Sequence, residues 1–259
     1  DDFELSDDIK INAGLRYSSF QHNGDVSLFN YIKNDLTLSS DNYRHIEPRL
    51  SLRYKLNTTS SIKAAFTENY QYVHLASTSS VSLPTDLWVP SSSGIKPKFA
   101  RQYAIGYFKN LNDNMYETSL EAYYKEMTNL IEYREGYLPE DNTNSSGDDS
   151  FTFGDGESYG VEVLLKKNKG KTTGWIGYTL SKTTRYFDEV NNGIAFPAKY
   201  DRRHDLSVTA THKLSKSWVL SGVFVYASGN SITLPTERYV IGGDIYTQFT
   251  SRNGFRVDP

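Results

Sequence analysis

Along much of the chain, apolar and polar residues alternate with a period of two. From 9 to 17 the odd positions Ile9, Ile11, Ala13, Leu15 and Tyr17 are apolar or aromatic, with Lys10, Asn12 and Arg16 between them. Ile46, Pro48, Leu50, Leu52 and Tyr54 alternate in the same way with Glu47, Arg49, Ser51 and Arg53. This period places one set of side chains on each face of a β-strand. Further strands are predicted over 61–71, 99–111, 115–127, 157–167, 173–184, 204–214 and 218–227. In one of them Tyr159, Val161, Val163 and Leu165 oppose Gly160, Glu162 and Lys166; the last is apolar on both faces. The pattern gives about nine strands and no helix.

The connections sort by length. Those after the second, fourth, sixth and eighth strands are short and polar, such as Asn112-Asp113-Asn114 and Asn168-Lys169-Gly170-Lys171. Those after the first, third, fifth and seventh are long, over 18–44, 72–98, 128–156 and 185–203, and another long segment, 228–259, follows the ninth. Long unstructured loops are uncommon in compact soluble domains. Alternating tight turns and extended loops are what an outer-membrane barrel shows, with short periplasmic turns and long extracellular loops. The strands run about 10–13 residues, beyond the usual soluble strand and suited to a tilted crossing of the bilayer. Tyr17, Tyr54, Tyr107, Tyr124, Tyr178, Trp218 and Tyr226 fall near the predicted strand ends, where interfacial aromatic residues belong. A soluble propeller or sandwich is the competing architecture.

Composition narrows the class further. Of 259 residues, 20 are Tyr, 13 are Phe and none is Cys, so disulfides and thiolate chemistry are excluded. The mean hydropathy of -0.57 excludes a transmembrane helix. It does not exclude a barrel, whose alternating strands average out as hydrophilic. A net charge of -3 gives no nucleic-acid footprint. Asp1-Asp2-Phe3-Glu4 is not the start of a signal peptide, so the sequence is expected to begin inside a mature chain.

Several segments resemble the C-terminal half of TonB-dependent receptors, particularly those of Bacteroidetes-type bacteria. They are Gly14-Leu15-Arg16-Tyr17, the run Glu47-Pro48-Arg49-Leu50-Ser51-Leu52-Arg53-Tyr54, Tyr103-Ala104-Ile105-Gly106-Tyr107, Glu121-Ala122-Tyr123-Tyr124-Lys125 with Asn129-Leu130-Ile131, Ser158-Tyr159-Gly160-Val161-Glu162 and Tyr178-Thr179-Leu180-Ser181. Most specific is Tyr200-Asp201-Arg202-Arg203-His204-Asp205-Leu206, followed by Ser228-Gly229-Asn230 and Leu234-Pro235. The resemblance implies an all-β, antiparallel transmembrane β-barrel. Residues 1–259 would supply about nine consecutive strands of a larger 22-strand barrel, with the plug domain and remaining strands not covered. An open arc of nine strands would leave unpaired edges in hydrocarbon, so the wall needs further strands.

No catalytic constellation, cofactor site or metal site is read from the residues. His204 lies among Asp201, Asp205, Arg202 and Arg203; mutual pairing that fixes the start of a strand is the preferred reading over a metal site. The acidic, glycine-rich stretch 145–157 lacks EF-hand spacing and reads as a solvated loop. Recognition in a barrel falls to the outer loops and the lumenal wall. Aromatic candidates there include Trp88, Tyr133, Tyr137, Phe151, Phe153, Tyr186, Phe187, Tyr239, Tyr246 and Phe255. Trp88, Tyr137, Phe153, Tyr186, Tyr239 and Tyr246 are taken as ligand contacts, against the alternative that they only pack loops together. Arg49, Arg53, Glu121 and Glu162 would face the lumen and hold the plug. The function implied by the resemblance is TonB-energised import of a ligand such as an iron chelate, glycan or peptide. Its partners would be outer-membrane lipid, the TonB–ExbB–ExbD system through the plug, and in some relatives a surface lipoprotein. A passive or structural barrel (porin, adhesin or secretion component) and a soluble all-β module are the alternatives.

Overall fold

The computed structural model describes residues 1–23, 40–76, 87–134 and 151–258. Its strands are β1 (Asp2–Glu4), β2 (Ile9–Asn23), β3 (Ser40–Asn57), β4 (Ser60–Gln71), β5 (Val73–Ala76), β6 (Leu87–Pro90), β7 (Lys98–Leu111), β8 (Tyr116–Tyr133) and β9 (Phe151–Lys167). They continue with β10 (Thr172–Tyr186), β11 (Phe196–Pro197), β12 (His204–Lys213), β13 (Val219–Ala227), β14 (Ser231–Ile232), β15 (Pro235–Ile241), β16 (Asp244–Phe249) and β17 (Phe255–Arg256). One antiparallel sheet runs in the order β1-β2-β3-β4-β7-β8-β9-β10-β12-β13, with β11 added on β10. The hairpins β5–β6 and β15–β16 and the pair β14–β17 lie off this sheet. The nine long strands of the sequence pattern are therefore the sheet.

Register turns the period of two into two continuous surfaces. One ladder of facing residues reads Tyr54, Ile62, Tyr107, Leu120, Val163, Tyr178, Leu206 and Tyr226 across eight strands. The next ladder on the same face reads Ile11, Leu52, Ala64, Ile105, Ala122, Val161 and Leu180. Among the described residues nothing covers this face: Leu50 is 48%, Ile105 58% and Val163 44% exposed. Apolar rows of this extent, left bare, are stable only against lipid or another apolar surface.

The opposite face is polar. Its corresponding ladder reads Lys10, Arg53, Lys63, Gly106, Glu121, Glu162, Thr179 and Asp205.

The strands outrun the sequence reading at their loop ends. Tyr17 and Tyr124 are mid-strand, because β2 continues to Asn23 and β8 to Tyr133. In β8 a bulge between Met127 and Leu130 leaves Asn129 at a φ of 55°, with its side-chain Nδ2 donating to the Pro97 carbonyl at 3.1 Å. Asn tolerates this left-handed conformation, and the extra residue breaks the alternation that marks a strand. Residues 151–157, read as loop from sequence, are the start of β9. A Cβ on Gly154 would come within 2.1 Å of the Tyr186 carbonyl oxygen and 2.5 Å of Phe187 Cγ. That glycine exists for close packing, and Gly154→Ala is expected to loosen residues 186–198, read as faster amide exchange there and unchanged exchange in β3 and β4.

Among the described residues two small cores form at the loop end of the wall. Ala76, Val89, Ile95, Ile131, Tyr133 and Phe151 make one; Met127, Leu130, Phe187, Val190 and Phe196 make the other. Tyr133, Phe151 and Phe187 are thus packing residues rather than exposed ligand contacts.

Candidate functional site

Alternation and register put Arg49, Arg53, Glu121 and Glu162 on the polar face together. A groove of about 510 Å³ runs along it, lined among others by Lys10, Ser51, Arg53, Lys63, Gly106 and Glu121. A side chain at Gly106 would fill it, since a Cβ there meets Glu121 Cγ and Phe108 Cε2, both at 2.8 Å. The charges are sorted: cations at Lys10, Arg53 and Lys63, carboxylates at Glu121 and Glu162 two and three strands beyond Lys63. Glu121 and Glu162 face each other across a β-ladder, a like-charge arrangement that destabilises a sheet unless something positive meets it. Arg49 lies across Gly14, whose missing side chain leaves the guanidinium its place.

Above this groove the polar face carries an aromatic and histidine rim. Ser18, Phe20, Tyr43, His45 and Glu47 share the face by alternation, and Tyr72 joins them from the residue between β4 and β5. The Tyr72 hydroxyl lies 2.9 Å from His45 Nδ1 and 2.5 Å from Ser18 Oγ. The Tyr72 ring stacks on Phe20 at 5.2 Å, and the His45 ring on Tyr70 at 3.7 Å. The Tyr43 hydroxyl donates to the Ser92 carbonyl at 2.6 Å. Glu47, almost fully buried, accepts from Ser18 Oγ at 2.8 Å and pairs with Arg16. Such a row of ring faces with fixed hydroxyl and imidazole groups can stack on a planar ligand and hydrogen-bond its edge. The sequence reading missed this rim, although His45, Tyr70 and Tyr72 were visible as rings flanking strand ends.

The shortlisted aromatic residues are scattered. Tyr239 and Tyr246 meet across the β15–β16 hairpin with rings stacked at 5.8 Å. Trp88 is exposed on β6, opposite Leu75. Phe153 and Tyr186 fall on the apolar face, because Tyr186 pairs with Asp155, which shares the side of Tyr159. Tyr137 lies outside the described residues, as do Asp148 and Asp149. Among the described residues no group of His, Asp and Glu could hold a metal ion.

The Asp201–His204 segment pairs internally. Asp201, fully buried, accepts from the Thr183 amide at 2.6 Å and from Arg256 Nη2 at 2.5 Å, with Arg203 at 3.7 Å. Arg256 also donates to the Asp201 and Gly229 carbonyls, at 2.6 and 2.8 Å. His204 Nδ1 lies 2.8 Å from the Tyr178 hydroxyl, and Ser228 Oγ accepts from the His204 amide at 3.0 Å. These contacts fix the start of β12 and fasten the segment after β13 to the rim.

In the β5–β6 hairpin His74 is completely buried, with Nε2 3.0 Å from Ser91 Oγ. Burial, and secondarily the Lys98 ammonium, pushes its pKa down from 6.5 to about 4. The folded hairpin therefore holds neutral imidazole, while the detached hairpin titrates normally. Stability from this site is full above pH 6.5 and falls as pH drops toward 4, by at most about 3 kcal/mol. Amides of 73–76 and 87–90 are expected to exchange faster at pH 5 than at pH 7 after intrinsic correction. His74→Gln should remove that pH dependence.

The family described as "TonB dependent receptor-like, beta-barrel" matches residues 1–259. A search of curated proteins found no match. Among solved structures, the ferripyoverdine receptor of the Pseudomonas aeruginosa outer membrane superposes with a TM-score of 0.60 at 16% identity, covering 96% of this chain and 29% of that one. The ferric-catecholate import receptor Fiu of Escherichia coli K12 gives 0.61 at 14% identity, covering 89% and 33%. The FrpB iron transporter of Neisseria meningitidis gives 0.60 at 14%, covering 88% and 32%. The chain thus spans about a third of the length of these structures.

Proposed function

Because this chain belongs to the TonB-dependent receptor β-barrel family, we propose that it is part of the wall of an outer-membrane importer, a transporter and not an enzyme. The observation that carries this reading is the two-faced wall: uncovered apolar ladders on one side, and on the other a polar groove under an aromatic rim. The apolar face meets lipid. The polar face lines a 22-strand barrel completed by strands outside residues 1–259, and its sorted charges hold a plug domain. Arg49 and Arg53 would meet plug carboxylates, and the facing Glu121 and Glu162 would meet plug cations. TonB, drawing on the inner membrane, would then move the plug.

The ligand enters at the rim. Phe20, His45, Tyr70 and Tyr72 favour a compound with planar rings and hydrogen-bonding edges, which an iron chelate, glycan or peptide could each offer. The iron-chelate receptors among the similar structures make that class the first to test. Trp88, Tyr239 and Tyr246 remain proposed outer contacts; Phe153 and Tyr186, on the lipid side, are the weaker picks. A surface lipoprotein partner and the Bacteroidetes-type affiliation are finer readings that rest on motif resemblance alone.

The deciding experiment is uptake by cells expressing the full-length receptor, with and without TonB. Uptake of a bound ferric chelate should need TonB, and His45→Ala should weaken binding roughly tenfold, or about 1.4 kcal/mol. Uptake that persists undiminished without TonB would favour the passive barrel instead.

A further inference from the structure

At the outer ends of β7, β8 and β10 lies a small cavity of about 20 Å³, with Lys98, Arg185, Lys199 and Glu132 in its lining and Ala76 and Ile131 among its apolar walls. Two of its cations, Lys98 and Arg185, stand there against the one carboxylate Glu132. Glu132 is committed to Arg185, whose Nη1 donates to it at 2.8 Å with the two side chains only 11% and 7% exposed. The Arg185 Nε hydrogen is nevertheless buried without any hydrogen-bond partner. The Lys98 ammonium makes no hydrogen bond or ion pair of its own among the described residues, although it feels the field of both Glu132 and Arg185. Beside it, the Nδ1 of buried His74 is also unpartnered.

Buried donors are almost always satisfied, and an excess of buried positive charge is disfavoured unless an anion accompanies it. The cavity is roomy enough for one body of about water size. We infer that it is a built-in site for one small inorganic anion of the halide class, held between Lys98 Nζ and Arg185 Nε. The anion accepts from both donors, offsets the surplus charge and joins the β5–β6 hairpin to β8 and β10 through the side chains around it. The inference stands apart from the transport reading, because it concerns how the rim is held and needs no imported ligand.

The test uses the full-length receptor in detergent without imported ligand. Chloride is titrated against gluconate, too large for the cavity, at constant ionic strength, and exchange of the 73–76 and 87–90 amides is followed. At chloride ten times its dissociation constant the opened population should fall about tenfold relative to gluconate. Bromide should substitute for chloride, and crystals grown in bromide should show anomalous density between Lys98 and Arg185. Lys98→Met should abolish the anion dependence, while Lys182→Met on β10 should keep it. Should Lys98→Met fail to fold, the anion titration and bromide density of the unaltered protein still decide the matter. Equal exchange in chloride and gluconate, with no bromide density, means a water molecule occupies the cavity and overturns the inference.

Discussion

Replacing Asp201 with alanine is expected to release residues 228–258 from the rim while leaving the nine-strand wall intact. Asp201 has no solvent exposure and accepts from three directions: the Thr183 amide, Arg256 and, more distantly, Arg203. Removing one partner of a buried ion pair costs far more than the pair contributes, because the other charge stays behind uncompensated, typically about 3–5 kcal/mol. Arg256 is about a third exposed and regains some water, so about 3 kcal/mol is the appropriate figure. That loss falls on β14, β17 and the Ser228–His204 contacts, whose other fastenings to the rim are the Arg202–Asn230, Arg252–Tyr133 and Asn253–Pro197 hydrogen bonds. Protease should cut within 228–258 in Asp201→Ala and spare the parent. Asp201→Asn keeps an acceptor for the Thr183 amide and should lie between the two. Protection equal to that of the parent in both variants would show that the Asp201 knot does not fasten this segment.

The wall was legible because its physics is local. One lipid-facing and one water-facing side force alternation, and nothing else in the chain competes with that signal between Ile9 and Tyr17 or Tyr159 and Leu165. The turns were legible for an equally local reason: Asn112, Asp113 and Asn114 all take positive φ, which Asn and Asp tolerate. Where the strands rise past the hydrocarbon, the constraint lapses. Ser18 to Asn23 still pair with His45 to Ser40, yet neither face needs to be apolar, so no period marks them. The β8 bulge at Asn129 hid the continuation to Tyr133 by shifting the alternation by one step.

The rim was less legible because it depends on register. His45 and Tyr72 are 27 residues apart, and Ser18 and Tyr72 are 54 apart. Only the pairing of β2, β3 and β4 brings them to one hydroxyl. Aromatic residues in loops could be seen from sequence, but which were core and which were surface could not. Tyr133 and Phe187 went to the two small cores because the β8 bulge and the close approach at Gly154 created hollows for them. Trp88, Tyr239 and Tyr246 stayed exposed on hairpins that lie off the main sheet.

The assignment of the two faces is tested by neighbouring residues on one strand. Val163 and Glu162 are one peptide apart on β9 and point to opposite sides. Four residues separate Val163 from the end of β9 at Lys167. At a rise of about 3.3 Å per residue and a tilt near 40°, that places it roughly 10 Å above the turn, near the middle of the apolar band. Val163→Arg should therefore lower the unfolding free energy of the full-length receptor in lipid vesicles by about 2–4 kcal/mol. Glu162→Arg should change it by less than about 0.5 kcal/mol or raise it, since it replaces a repulsion with Glu121 by an attraction. Any effect of Glu162→Arg should appear instead in how the plug is held, as altered TonB-dependent uptake. The contrast depends on depth as well as on face. Leu15→Arg, six residues from the turn end of β2 at Ile9 and so roughly 5 Å further up than Val163 at the same rise and tilt, should cost somewhat less, about 1–3 kcal/mol, because a long cation there reaches toward the headgroups. If Glu162→Arg cost as much as Val163→Arg, both sides of the sheet would be equally averse to charge. The wall would then be a layer within a soluble protein rather than a boundary between lipid and water.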